Sequence, residues 1–154
     1  MTVQEVMNQV KLRLEINDMD TTDDIVIMFM NQAIDKVFSM LAAAKNDFSV
    51  KESIFTDKTA PPSDYLKACG QYGFNLVGGI VNFFDGSTSK TVRYFFKPVT
   101  VVKTLLTAKI DAPDTFCRLI ASATVIYILA ANKTGVADDK VLDDEVEKLV
   151  VSVS

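Results

Sequence analysis

Apolar residues recur at two spacings along this chain, every three to four positions near both ends and mostly every second position in the middle. Near the start, an apolar stripe at helical spacing predicts a first helix over residues 3–16. Thr2 stands three residues before Glu5, which is the spacing of a capping box. The sequence therefore marks the beginning of this helix as well as its buried side.

Two further predicted helices, over residues 23–45 and 112–133, are apolar on nearly every side. A helix with so narrow a polar strip must be covered by neighbours on several sides. Because two such helices carry more apolar surface than a small four-helix bundle needs to bury, we expect other copies of the chain to cover the rest. The residues expected at this subunit interface are Ile27, Met30, Ile34, Val125 and Leu129.

Residues 47–97 follow the alternating pattern that is typical of strands. Gly78 and Gly79 stand between two short apolar runs, where they are expected to form a two-residue hairpin turn. Pro61 and Pro62 interrupt the pattern because neither can donate to a ladder. The strands are expected near residues 48–54, 65–72, 74–77, 80–84 and 91–96.

Residues 99–109 fit either a short helix or a strand, and a last helix is expected to begin at Asp138 or Asp139. The predicted fold class is α+β and mainly α, a bundle of about four helices with a small antiparallel β module inserted between helices 2 and 3. We expect a single domain over 1–154, with N-terminal helices (1–46), the inserted β module (47–97), and C-terminal helices and tail (98–154).

Charge and composition favour a scaffold over an enzyme. The chain has 16 Lys and Arg against 20 Asp and Glu, a net charge of -4, which gives no reason to expect nucleic acid as the main partner. It has no histidine, so the commonest general base and metal ligand is missing, and serine or cysteine nucleophiles lack their usual partner.

The clusters that could bind a ligand have simpler explanations. The aspartates between Asp18 and Asp24 lack the glycine and the closing glutamate of a calcium loop, and the carboxylates at 138–145 likewise suit the start of a helix. The glycines at 70–79 have no phosphate-binding motif and suit hairpins. Met28, Met30 and Met40 fit a packed core better than an adaptable binding surface. We therefore expect no enzyme, and no catalytic, cofactor-binding or metal-binding residue.

Cys69 and Cys117 lie among apolar neighbours, which favours two reduced core thiols over a disulfide. The N-terminal residues lack the form of a signal peptide. The apolar run 119–131 is shorter than the about 20 residues that a membrane span needs, so no membrane segment is expected. These features predict a protein of the reducing cytoplasm, or of a particle assembled there.

Three stretches of the module share a loose pattern with a known family: Pro62-Ser-Asp-Tyr-Leu66, Tyr72-Gly-Phe-Asn-Leu-Val-Gly-Gly-Ile-Val81 and Val92-Arg-Tyr-Phe-Phe-Lys-Pro98. Together with the order of the predicted elements, they resemble the head-to-tail adaptor (connector) proteins of tailed bacteriophages. Val10-Lys-Leu-Arg-Leu14 and the aspartates that follow it resemble the first helix-turn-helix of related connectors. The chain differs from many adaptors in its very apolar second helix and its short acidic tail.

The resemblance implies a structural virion protein that forms a homo-oligomeric, dodecameric ring, joins the portal to the tail and lines the DNA channel. Its partners would be the portal protein and tail or other neck proteins, with genomic DNA passing through without sequence-specific binding. It would reside in the virion neck, and in the host cytoplasm during assembly. The C-terminal segment of such adaptors reaches the portal, which places Leu142, Val146, Leu149 and Val150 at that contact. The alternative is a small monomeric α+β ligand-binding or regulatory protein.

Overall fold

A computed structural model describes residues 1–17, 19–134 and 139–152 of the chain. Within them, four helices and five antiparallel strands confirm the α+β class, with every strand between the second and third helices. The helices are α1 (Val3–Glu15), α2 (Asp23–Ala43), α3 (Asp114–Thr134) and α4 (Asp139–Val151). The strands are β1 (Val50–Thr56), β2 (Tyr65–Ala68), β3 (Phe74–Val77), β4 (Ile80–Phe83) and β5 (Ser89–Phe96).

The chain divides into two compact units. Unit 1 comprises residues 1–40 and 98–154, and therefore holds α1, most of α2, α3 and α4. Unit 2 comprises residues 41–97 and holds all five strands. The unit that contains the strands thus begins before residue 47, because it includes the last turn of α2.

The predicted capping box at the start of α1 is confirmed. The backbone N–H of Glu5 donates to Thr2 Oγ1 at 3.2 Å, and the backbone N–H of Thr2 donates to Glu5 Oε2 at 2.7 Å. This reciprocal pair satisfies two donors that would otherwise lack partners at a helix N-terminus. One side of α1 is buried, as the stripe predicted, through Val3, Val6, Met7, Val10 and Leu14.

The core of unit 1 lies where α3 packs against α1 and α4. Phe38 of α2 meets Phe116 of α3 edge to face, with ring centroids 5.7 Å apart and an interplanar angle of 89°. Both rings are buried, as are Val37 on α2 and Ile120 on α3. The faces of α2 and α3 that carry these residues are therefore covered within a single copy.

In unit 2, β5 lies between β1 and β2, and all three pair antiparallel. β3 and β4 form a separate two-stranded sheet around Gly78 and Gly79, whose φ values of 58° and 77° match the predicted hairpin turn. Phe55 is the centre of the unit 2 core. Its ring centroid lies 5.4 Å from that of Tyr65, 5.6 Å from that of Phe74 and 5.7 Å from that of Tyr94.

The stretch that fitted either a helix or a strand is mostly irregular. It contains one short 3₁₀ turn, Lys103–Leu105, and then runs beside the start of the chain. There the N–H of Val3 donates to the carbonyl of Ala108, and the N–H of Gln4 donates to the carbonyl of Leu106. Residues 98–113 of unit 1 are therefore fixed by hydrogen bonds, although they form neither predicted element.

Candidate functional site

The residues expected at a subunit interface on α2 are buried within the single chain. Ile27 retains 9% of its accessible surface, Ile34 retains 2% and Met30 retains none. On α3, Val125 is buried and Leu129 is half-buried. Because one copy already covers most of this surface, these residues give no reason to expect a second copy at that place.

The described residues expected at the portal contact are also largely covered within the single chain. On α4, Val146 and Val150 are buried, and Leu149 is half-buried. The side chain of Leu142 lies outside the described part of the structure. The apolar stripe of α4 is therefore mainly a packing surface of unit 1, which suits the contact of this helix with α3.

Unit 1 leaves several large apolar side chains exposed, among them Leu12, Ile16 and Val151. Five others, each between 41% and 58% exposed, lie on α2 and on the segment that follows unit 2. We name them together the unit 1 patch: Ile25, Met28, Val99, Val102 and Leu105. Sequence reasoning missed these residues because it assumed that the surplus apolar surface would lie on the most apolar faces of the helices.

Two polar contacts hold the segment against α2. The side-chain amide of Asn31 donates to the carbonyl of Val101 at 3.0 Å and accepts from the N–H of Val101 at 2.8 Å. Lys103 Nζ donates to the two carboxylate oxygens of Asp24 at 3.0 and 3.1 Å. Asp24, Met28 and Asn31 share one face of the helix. Met28 therefore lies between the two contacts, beside the segment that carries Val102.

The segment also forms a small apolar depression of about 90 Å³ in unit 1. Val99, Val102 and Leu105 line it, together with Pro98 and Ile110. Contiguous exposed apolar surface on a folded chain marks contact with another protein more often than isolated apolar residues do. The unit 1 patch is therefore the candidate interaction site of this unit.

The charged residues near this site form ion pairs within unit 1. Asp23 pairs with Lys11, and the hydrogen bond from Lys11 lowers the pKa of that carboxyl below its ordinary value. Asp24 pairs with Lys103, as described above. The aspartates that begin α2 therefore bind lysines of α1 and of the segment, in addition to suiting the start of a helix. Asp18, in the same cluster, lies outside the described residues.

Among the described residues, no group of three or more histidine, cysteine or acidic residues is placed to hold a metal ion. Both cysteines are free thiols. Cys117 is buried, and burial raises the pKa of its thiol, whereas Cys69 is exposed and the prediction of a core position for it was wrong.

Two helices pass a simple test for membrane spans by length and hydropathy. They are Asp23–Ala43, with a mean hydropathy of 1.4, and Asp114–Asn132, with a mean hydropathy of 1.5. Half of each tested window is buried inside the chain. Core helices pass the same test, so this finding is weak evidence for a membrane, and the absence of a span stays a prediction.

No protein-family model matches the chain, and no curated protein matches it significantly. What can be proposed about function therefore rests on the residues, the fold and the surfaces described above.

Proposed function

We propose that this chain is a structural subunit of the neck of a tailed bacteriophage, a head-tail adaptor that forms a homo-oligomeric ring between the portal and the tail. The observation that carries the proposal is the order of the parts. Two helices lead into antiparallel strands, which end at Phe96 before Pro98, and two helices follow. This order accompanies the adaptor-like sequence patterns within and around β2 to β5, and no enzyme is expected.

The unit 1 patch supports the ring. A ring needs each subunit to present apolar surface to a neighbour, and Val102 and Leu105 are exposed on a segment that hydrogen bonds hold in place. A fixed apolar surface binds at lower entropic cost than a mobile one. The net charge of -4 also suits a channel through which DNA passes without adhering to the wall.

In this proposal the ring is a dodecamer, its partners are the portal protein and tail or other neck proteins, and it resides in the virion after assembly in the host cytoplasm. Light scattering and negative-stain imaging test it, with the purified chain alone and with the portal protein encoded in the same genome. We expect a ring in at least one of the two samples. A chain that stays monomeric at every concentration and does not bind the portal would overturn the proposal.

Substitutions locate the contact if a ring forms. Val102→Asp places a charge in the unit 1 patch, and we expect it to weaken assembly about tenfold or more because a charge would be desolvated there. Phe84→Asp is the matched control, since Phe84 is 70% exposed in unit 2, outside the patch. If both variants assemble like the wild type, the patch is not the subunit contact.

A second candidate function, a small monomeric ligand-binding protein, is favoured by a cavity in unit 2. Its volume of about 370 Å³ lies in the range of small-molecule sites. A compact monomer that binds a small molecule and no portal would be the result expected from this alternative.

A further inference from the structure

A cavity in unit 2 gathers positive charge from three separate parts of the sequence. Lys45 follows α2, Lys67 lies on β2 and Arg93 lies on β5, and all three line the same cavity. Asp47 is the one carboxylate among the lining residues. Lys and Arg outnumber acidic groups here, although the chain as a whole is acidic.

The pairing of the strands explains how these residues meet. Phe95 of β5 pairs with Val50 on one side and with Lys67 on the other. Two residues along the ladder, the N–H of Cys69 donates to the carbonyl of Arg93 at 2.9 Å. Because alternate residues of a strand share a face, Arg93 and Phe95 lie on the same face as Lys67 and Cys69. The cavity is therefore built on one face of the sheet, opposite the aromatic cluster around Phe55.

An irregularity in β2 is needed for this arrangement. Tyr65 pairs with Phe96, but Lys67 pairs with Phe95, so the register shifts at Leu66. Without that bulge, Tyr65 and Lys67 would point to the same face. With it, Tyr65 joins the aromatic cluster while Lys67 faces the cavity. Bulges that redirect a side chain in this way are common next to binding sites.

Lys45 is held in an uncommon backbone conformation, with a φ of 55°. Its N–H donates to the carbonyl of Ala42 at 3.3 Å, and the N–H of Asn46 donates to the carbonyl of Leu41 at 3.0 Å. Such bonds close the C-terminus of a helix, and glycine is the usual residue at the left-handed position. A lysine therefore occupies a place where glycine would be less strained.

The three basic residues of the cavity form no ion pair with an acid. In the described structure, no carboxylate oxygen lies within 4.0 Å of the charged nitrogens of Lys45, Lys67 or Arg93, and Asp47 offsets only part of their charge. By contrast, Lys51 pairs with Asp64 and Lys90 pairs with Asp85 in the same unit. Glu52 pairs with Arg93 across the strands by backbone register but does not line the cavity.

We propose that this cavity binds a small organic anion, with its phosphate or carboxylate group held by Lys67 and Arg93 and its apolar part against Val50 and Phe95. Arginine and lysine are the side chains that proteins use most for such oxyanions. The volume of about 370 Å³ leaves room for more than a bare anion. Cys69, which also lines the cavity, supplies a chemical reporter.

Calorimetry with three probes tests the binding: phenyl phosphate, benzoate and inorganic phosphate. We expect phenyl phosphate or benzoate to bind more tightly than inorganic phosphate, because the apolar wall contributes only with an organic anion. Comparing phenyl phosphate with benzoate identifies the preferred charged group. Arg93→Gln and Lys67→Gln should each weaken the best probe about tenfold or more, since a charged hydrogen bond is lost.

Lys109→Gln is the matched control, because it removes the same charge from an exposed residue of unit 1. It should leave the affinity unchanged. If no probe binds the wild type, or if Arg93→Gln and Lys67→Gln bind as the wild type does, the proposal is overturned. The substituted residues are exposed, so loss of folding is not expected, and circular dichroism of each variant checks this.

Alkylation of Cys69 gives an independent measurement. Positive charge around a thiolate speeds its alkylation by the anionic reagent iodoacetate more than its alkylation by the neutral iodoacetamide. We expect the rate with iodoacetate divided by the rate with iodoacetamide to be higher at Cys69 than for a small model thiol. This ratio should fall several-fold in Arg93→Gln. Cys117 is buried and serves as the slow internal reference. A ratio that Arg93→Gln does not change would contradict a positively charged cavity.

These tests are independent of the proposed ring. Binding of an anion without any ring would leave this inference standing, whereas ring formation without anion binding would overturn the inference alone.

Discussion

The side chain of Asn31 pairs with the backbone of Val101 as a neighbouring strand would, donating to its carbonyl and accepting from its N–H. The two residues are far apart in sequence, and Val101 belongs to the irregular segment. Both backbone groups of Val101 would otherwise need water, and Val101 retains only 8% of its accessible surface. This amide therefore helps to hold the segment against α2, together with the ion pair between Lys103 and Asp24.

Replacing Asn31 should destabilise the fold measurably. Asn31→Ala leaves two partly buried backbone groups without partners, which should lower the free energy of unfolding by about 1–3 kcal/mol. Urea denaturation followed by circular dichroism measures this difference. Gln32→Ala, at an exposed position of the same helix, is the control and should change stability little. Equal midpoints for both variants would contradict a structural role for the amide.

Truncation of Phe116 should lower the free energy of unfolding more than truncation of most other residues. It is 2% exposed and packs edge to face on Phe38, so Phe116→Ala leaves a cavity and should cost about 3–5 kcal/mol. Phe84→Ala removes the same ring from an exposed loop and should cost about 0.5 kcal/mol or less. The denaturant midpoints of the two variants measure this difference in stability. Equal midpoints would mean that unit 1 is loosely packed around Phe116.

The hairpin between β3 and β4 depends on a backbone conformation that favours glycine. Gly79 has a φ of 77° and open space around it, so Gly79→Ala should cost about 1–2 kcal/mol through backbone strain alone. Gly70→Ala is the matched control. It would place its Cβ in ordinary contact, 3.7 Å from Tyr72 Cε2, with a φ outside the left-handed region. Thermal unfolding of both variants should therefore separate them, and a harmless Gly79→Ala would contradict the described turn.

The Asp85–Lys90 pair should make stability fall in strong acid. The hydrogen bond from Lys90 Nζ, at 2.7 Å, is the largest cause of a pKa for Asp85 well below the ordinary value of 3.8, and Ser87 adds to it. A lowered folded-state pKa contributes stability above the unfolded value of 3.8, and this contribution is lost as pH falls through the lower folded value.

Lys90→Met should therefore return the pKa of Asp85 towards 3.8, which carbon NMR of the carboxyl group measures directly. The substitution also removes the ammonium group that lies 5.2 Å from the ring centroid of Phe83. Lys103→Met, a substitution in unit 1, should leave the titration of Asp85 where it was. An unchanged titration in Lys90→Met would mean that Ser87 alone holds the carboxylate.

Local signals in the sequence predicted much of the fold. Thr2 and Glu5 marked the start of α1, and Gly78-Gly79 marked the hairpin, because each depends only on residues close in sequence. The end of β2 was predicted too late. The alternation continued beyond Ala68, but the ladder with β5 stops near a bend at Gly70.

Burial of the long helices could not be predicted in the same way. The sequence shows that Met30 and Ile34 are apolar, but not which elements of the chain will cover them. The irregular segment carries three of the exposed apolar residues of the unit 1 patch, Val99, Val102 and Leu105, and its pattern fitted two different elements. The cavity of unit 2 could not be predicted from the sequence either, because Lys45, Lys67 and Arg93 come together only through strand pairing and one bulge.

The bulge at Leu66 has a consequence for how this chain tolerates change in length. Removing a single residue there would keep the strand but change its register relative to β5. Tyr65 and Lys67 would then point to the same face of the sheet, so that either the aromatic cluster would lose Tyr65 or the cavity would lose Lys67. Substitutions at Leu66 are a milder perturbation, since the extra backbone unit remains. Relatives of this protein that keep both features should therefore vary in residue type at this point while keeping the residue count.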